Sequence, residues 1–267
     1  MDVVSIMTRD PHTAAVGDSL DEVMRMMDQH DIRHMPVVDG EQVVGVLSDR
    51  DVLEATGWLP ESQRPEGAST LVSDLIKGRP VTCGPDDTTV MIASDMTSRG
   101  IGCLPVIEDS RLVGIVTEMD LMQAYLDISQ MAGSSANLQK PATELMSQSP
   151  HDIAPTTTLA QAAQLEIDLY VRHLPVTEDR RIVGIVSDRD IRRARGQGRP
   201  EDAPVSEVMT TEVLTIGPEE PLWQAASYLI QGRISALPVV DDGKLLGVLA
   251  LIDLLEHCVV YLREPEA

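Results

Sequence analysis

Leu20, Val23, Met24 and Met27 recur at i, i+3, i+4 and i+7, which predicts an amphipathic helix capped by Asp18 or Ser19. A short apolar stretch, Ala14 to Val16, and the polar turn "GDS" precede it. After it, "MPVV" and "VVGVL" flank the turn "DGEQ" and predict two short buried strands. "SDRDVLEA" then opens a second helix. The predicted unit is β-α-β-β-α. At about 55 residues it is too small to bury its own sheet, so it is expected to pack against another copy of itself.

The chain holds four such copies. Gly45, Gly114, Gly184 and Gly247 recur at near-regular intervals, and a proline precedes each at one fixed distance: Pro36, Pro105, Pro175 and Pro238. At a second fixed distance before each proline comes a start signal, at Met7, Ile76, Met146 or Met209. The step from start signal to closing aspartate, Asp51, Asp120, Asp190 or Asp253, is also the same in every copy. All length variation falls between copies, which establishes an internal repeat. The repeats are expected at about 3–56, 71–127, 142–195 and 204–263. Repeats 1 and 3 share "RHMP"/"RHLP" and "SDRD" while repeats 2 and 4 lack both, so a two-repeat module was copied as a unit. Two modules are expected, 1–128 and 141–267, joined by the small, polar segment 129–140. In repeat 3 the helical stripe breaks, because Glu166 takes the place of Met27; a shifted or more exposed helix is expected there.

Composition narrows the function. Of 21 basic residues only three are lysines; 43 acidic residues bring the net charge to −22, and there are no Phe, two Trp and four Tyr. Such a field repels nucleic acid and anionic membrane, and few rings are available for base stacking. No apolar run approaches the roughly 18 residues that span a bilayer. The acidic N-terminus lacks the layout of a signal peptide, so a cytoplasmic protein is expected. Cys83, Cys103 and Cys258 form no C-x-x-C spacing, and neither a metal site nor a disulfide framework is expected. Neither a G-x-S-x-G elbow nor an H-E-x-x-H motif occurs, and four repeats leave almost no chain for a catalytic domain, so no enzyme activity is expected.

The repeated pattern of M-T, then L-P-V-V, then G-h-h-S/T-x-x-D resembles the cystathionine-β-synthase (CBS) domain family, whose members pair into Bateman modules. The resemblance implies an α/β fold of two such modules, arranged as a flat disc closed within one chain or across a homodimer. It also implies clefts that hold an adenosine-containing ligand: AMP, ADP, ATP or S-adenosylmethionine. The implied function is a regulatory sensor that signals to a partner protein; the alternative is a scaffold whose modules bind nothing.

Carried onto this chain, the resemblance places the ribose diol on Asp51, Asp120, Asp190 and Asp253. Ser48, Thr117 and Ser187 approach ribose or phosphate, and Ala250 leaves repeat 4 without that hydroxyl. Arg50 and Arg189 can offset phosphate charge, and Met119 replaces them in repeat 2. Arg33, His34, Arg172 and His173 are expected to reach phosphates from the start of the L-P strand. Gly45 is expected to allow close approach of a ligand or a neighbouring backbone. Ser48-x-x-Asp51 and Ser187-x-x-Asp190 also read as helix caps. Cys103 occupies the position of His34 and senses redox state only if it is exposed and acidified.

Overall fold

The computed structural model describes residues 1–56, 70–76, 78–131, 138–148 and 150–263. Most of the connector 58–70, Lys77 of the second start signal and residues 132–137 of the expected joint lie outside them. The chain divides into two compact units, one containing Met1–Ala124 and the other Tyr125–Tyr261.

The first unit opens with a 3-10 turn, Val3–Ser5, and the strands β1 (Thr8–Arg9) and β2 (Ala14–Ala15). Helix α1 (Leu20–His30) leads into the hairpin β3 (His34–Asp39) and β4 (Gln42–Ser48), then α2 (Asp49–Thr56). Repeat 2 follows as α3 (Val72–Leu75), α4 (Thr89–Arg99), β5 (Cys103–Glu108), β6 (Arg111–Thr117) and α5 (Glu118–Met131). Repeat 3 has a 3-10 turn (Ala142–Glu144), β7 (Ser147–Gln148), α6 (Leu159–Asp168), β8 (His173–Glu178), β9 (Arg181–Ser187) and α7 (Asp188–Gly196). Repeat 4 has a 3-10 turn (Val205–Glu207), α8 (Leu222–Gly232), β10 (Ala236–Asp241), β11 (Lys244–Ala250) and α9 (Leu251–Arg263). The fold is mixed α/β, as the periodicity predicts.

Local chemistry accounts for these boundaries. Ser19, in extended conformation, accepts a hydrogen bond from the Glu22 amide and starts α1; Asp18 instead accepts from the Ala15 amide. The helix buries Leu20, Val23 and Met27 against Met35, Val37 and Leu47 of the hairpin. Pro36 and its three counterparts are buried within their strands. Every hairpin carries one bulge at the same place, after Val37, Val106, Val176 and Val239, where the partner strand passes one extra residue just before its glycine.

The start signals do not pack on their own repeats. Strand β1 of repeat 1 pairs antiparallel with β6 of repeat 2, Thr8 opposite Ile115, and β7 of repeat 3 pairs with β11 of repeat 4, Ser147 opposite Val248. Thr210 of repeat 4 bridges back to Ile185 of repeat 3. An added Cβ at Gly45 would stand 2.4 Å from Ile76 Cδ1, and one at Gly114 2.6 Å from Met7 Sδ. At Gly184 the distance is 2.5 Å to Met209 Sδ, and at Gly247 2.6 Å to Met146 Sδ. Each start residue therefore fills the space over the glycine of the other repeat in its pair, and the exchange is reciprocal in both units. This corrects the expectation for Gly45: the group that approaches it is a side chain of repeat 2, not a ligand.

The helix carrying Glu166 is also not as expected. Its side chain is fully buried at 0% exposure, on the same face as Leu159, Ala162 and Ala163. The helix has neither shifted nor turned outward; a carboxylate simply occupies a core position.

Candidate functional site

At the end of β4 the chain turns into α2, and Ser48 and Asp51 close this corner on each other. The Ser48 amide and hydroxyl both donate to Asp51 Oδ2, at 2.7 and 2.6 Å, and the Asp51 amide donates to Ser48 Oγ at 3.2 Å. Ser187 and Asp190 repeat the arrangement at 3.0, 2.6 and 3.3 Å, as do Thr117 and Asp120 at 2.8, 2.7 and 3.4 Å. In repeat 4 only the Ala250 amide reaches Asp253 Oδ2, at 3.2 Å. These are capping boxes with aspartate at the third position, where glutamate is the usual choice.

The same carboxylate oxygen is used in all four copies. Oδ2 accepts two hydrogen bonds where the hydroxyl is present, which fills its lone pairs, while Oδ1 accepts none among the described residues. Capping thus leaves acceptor capacity: one oxygen holds the corner, and the other keeps two lone pairs. The Ser48 hydroxyl already donates its one hydrogen bond to Asp51, so donating to a phosphate requires it to turn away from the cap.

The hairpin brings the remaining expected residues to the same corner. His34 lies opposite Ser48 in the strand register, His173 opposite Ser187, Cys103 opposite Thr117 and Ala236 opposite Ala250. The first amide of α2 donates to the Arg33 carbonyl at 2.9 Å, and that of α7 to the Arg172 carbonyl at 3.2 Å. Arg50 forms an ion pair with Glu54, Nε to Oε1 3.8 Å, so its charge is partly answered within the helix. Arg189, half-buried, holds the corresponding place in repeat 3.

Three residues at this corner escaped the sequence reading. An added Cβ at Gly102 would lie 2.8 Å from His34 Cε1 and 3.6 Å from Glu118 Oε1, so Gly102 makes room for a histidine from the other repeat. Repeat 4 has Ser235 at that position. Asp49 and Asp188, 1% and 3% exposed, are buried carboxylates at the first helical position; "SDRD" contains two acids, and the family pattern draws attention only to the second.

Burial raises the Cys103 thiol to about 12, helped by the Glu118 and Asp51 carboxylates. A buried, protonated thiol is a poor redox sensor. Cys83 and Cys258 are likewise buried and raised to about 12, chiefly by burial. Among the described residues no cluster of three metal-ligating side chains occurs, and no helix is long and apolar enough to cross a membrane.

Desolvation also raises Asp120, against the lowering effect of its two bonds from Thr117, and it raises Asp253. A raised folded-state pKa contributes stability below the unfolded value that is lost as pH rises through the folded value. Ionised Asp120 therefore opposes folding at neutral pH. Asp120→Asn, which keeps an acceptor for the cap, is expected to raise the melting temperature at pH 7. The gain is expected to vanish near pH 3, where both residues are neutral. Melting curves at the two pH values check this, and a gain independent of pH contradicts it.

Comparison with known proteins places this geometry. The family model "CBS domain" matches residues 3–57, 72–127, 142–196 and 205–260. The CBS domain-containing protein YhcV of Bacillus subtilis is 40% identical over 103 residues, 38% of this chain and 74% of YhcV. An inosine-5'-monophosphate dehydrogenase of Korarchaeum cryptofilum is 35% identical over 118 residues; the match covers 44% of this chain but only 23% of the dehydrogenase. Among solved structures, protein MJ1225 of Methanocaldococcus jannaschii aligns with a TM-score of 0.81 at 19% identity, covering 96% of this chain and 99% of that one, which shows a shared fold.

Proposed function

The chain belongs to the CBS domain family, and on that premise we propose that it is a non-catalytic sensor. It binds an adenosine-containing nucleotide (AMP, ADP, ATP or S-adenosylmethionine) and passes the signal to a partner protein. The observation that carries the reading is the carboxylate oxygen Oδ1, left without a hydrogen bond among the described residues beside a capped helix start in all four repeats. A ribose diol fits such an acceptor, because both hydroxyls can donate to its two lone pairs. Asp51 and Asp190 hold the diol, with Arg50, Arg189, His34 and His173 on the phosphate side. Thr117 and Asp120 bind more weakly, since Met119 stands where repeats 1 and 3 have an arginine, and repeat 4, with Ala250 in place of the hydroxyl, binds least. The dehydrogenase match supports no enzymatic reading, because it covers under a quarter of that enzyme.

The completed caps favour a second reading, a scaffold in which the motif only starts helices. Calorimetric titration with the four nucleotides, beside melting curves, separates the two. Asp51→Ala and Asp190→Ala are each expected to weaken nucleotide binding at one site by about 1.5–3 kcal/mol. They should also cost about 1 kcal/mol of stability through the cap, and Ser48→Ala should cost the same stability while weakening binding less than Asp51→Ala does. Lowered melting temperatures with unchanged affinity in both aspartate variants leave the scaffold.

A further inference from the structure

The four corners differ in charge at two positions of the helix that follows the motif. These are Arg50 and Glu54 in repeat 1, Met119 and Gln123 in repeat 2, Arg189 and Arg193 in repeat 3, and Ile252 and Glu256 in repeat 4. Their formal charge is zero in repeats 1 and 2, +2 in repeat 3 and −1 in repeat 4. The Arg50–Glu54 ion pair demonstrates that side chains at these two positions meet on the helix surface. In repeat 3 both of these positions are arginines, and Arg192, half-buried, adds a third arginine to that turn. Like charges four residues apart destabilise an isolated helix. Arg193 is exposed and makes no ion pair among the described residues, in a chain that carries 43 acidic residues.

We infer that Arg193 sets phosphate specificity: the repeat 3 site takes a di- or triphosphate nucleotide, while the repeat 1 site takes the monophosphate. The inference rests on the nucleotide reading above and deepens it. A protein of net charge −22 disfavours every added phosphate, so preference for a longer phosphate chain needs a local cation pair. Arg189 lies beside Ser187 and Asp190, near the phosphate that every adenine nucleotide carries. Arg193 lies one turn further on, and its guanidinium can take two oxygens of an outer phosphate. In repeat 1 that place holds Glu54, whose carboxylate neutralises Arg50 and repels further phosphates.

The test is calorimetric titration of the full chain with AMP and ATP at low salt, with one strong site silenced at a time by Asp51→Ala or Asp190→Ala. The expected ATP-to-AMP affinity ratio is roughly tenfold higher at repeat 3 than at repeat 1, the size of one charged hydrogen bond. Arg193→Glu and Arg193→Gln should abolish that preference, and Glu54→Arg should create it in repeat 1. These positions are exposed, and melting curves confirm that the variants fold. Ratios unchanged by all three substitutions, with both nucleotides still bound, overturn the inference alone. Failure of the unmodified chain to bind either nucleotide overturns the nucleotide reading and this inference together.

Discussion

Deletion of residues 1–9 is expected to cost the first pair of repeats about 3–6 kcal/mol, with the damage appearing in repeat 2 more than in repeat 1. Val3 is 0% exposed and Met7 9%, and each buried side chain of this size contributes about 1.5–3 kcal/mol, an upper estimate because unfolded chains are partly compact. The backbone bonds point the same way. The amides of Val3 and Val4 donate to the carbonyls of Asp87 and Pro85, and the Thr89 amide donates to the Met1 carbonyl. Strand β1 is hydrogen-bonded to β6, whereas β3 pairs with β4 on one side and β2 on the other. Hydrogen exchange should therefore lose protection across β6 and the start of α4 while β3 and β4 keep most of theirs. Loss confined to β3 and β4 contradicts the exchanged start segments.

Gly247→Ala should destabilise the second unit by about 2–3 kcal/mol, more than Gly184→Ala. At Gly184 the crowding atoms all belong to Met209, a flexible side chain that can be truncated. At Gly247 the new methyl also meets the Ser147 carbonyl oxygen at 2.7 Å, and that backbone is fixed by the β7–β11 pairing. A double-mutant cycle separates the two. Met209→Ala should restore much of what Gly184→Ala loses, and Met146→Ala should do little for Gly247→Ala. Equal rescue at both sites means that the backbone approach is not what makes Gly247 a glycine.

Much of this was open to a reader of the chain. Constant spacing marks Pro36, Gly45 and Asp51 as one unit, and the helical stripe of Leu20, Val23 and Met27 locates the first helix and its buried face. The cap was legible too, since Ser-x-x-Asp is a local signal. What stayed hidden is non-local. Nothing in the start signal reveals that Met7 covers Gly114 and not Gly45, because each start residue precedes the glycine of its own repeat by the same interval whichever glycine it covers. Gly102 is a bare dipeptide member until the His34 ring is found against it. Glu166 misled for the opposite reason: charge argues for solvent, and only the packed helix reveals that the position belongs to the core. The availability of Oδ1 depends on which oxygen turns inward, a matter of side-chain rotation that no residue pattern records.

The exchanged start segments also set a timetable. Thr8 must wait for Ile115 to be made, and Ser147 for Val248, whereas Thr210 meets an Ile185 that is already in place when it emerges. A ribosome adding about 5–20 residues each second needs roughly 5–20 s to cover either of the two longer gaps. Through that interval Met7 has no Gly114 to cover, and until residue 76 is made the repeat that emerges first also lacks Ile76 over Gly45. The first repeat of each pair is therefore born incomplete and is finished by the second, so the newborn chain is most exposed to chaperones and proteases midway through each pair.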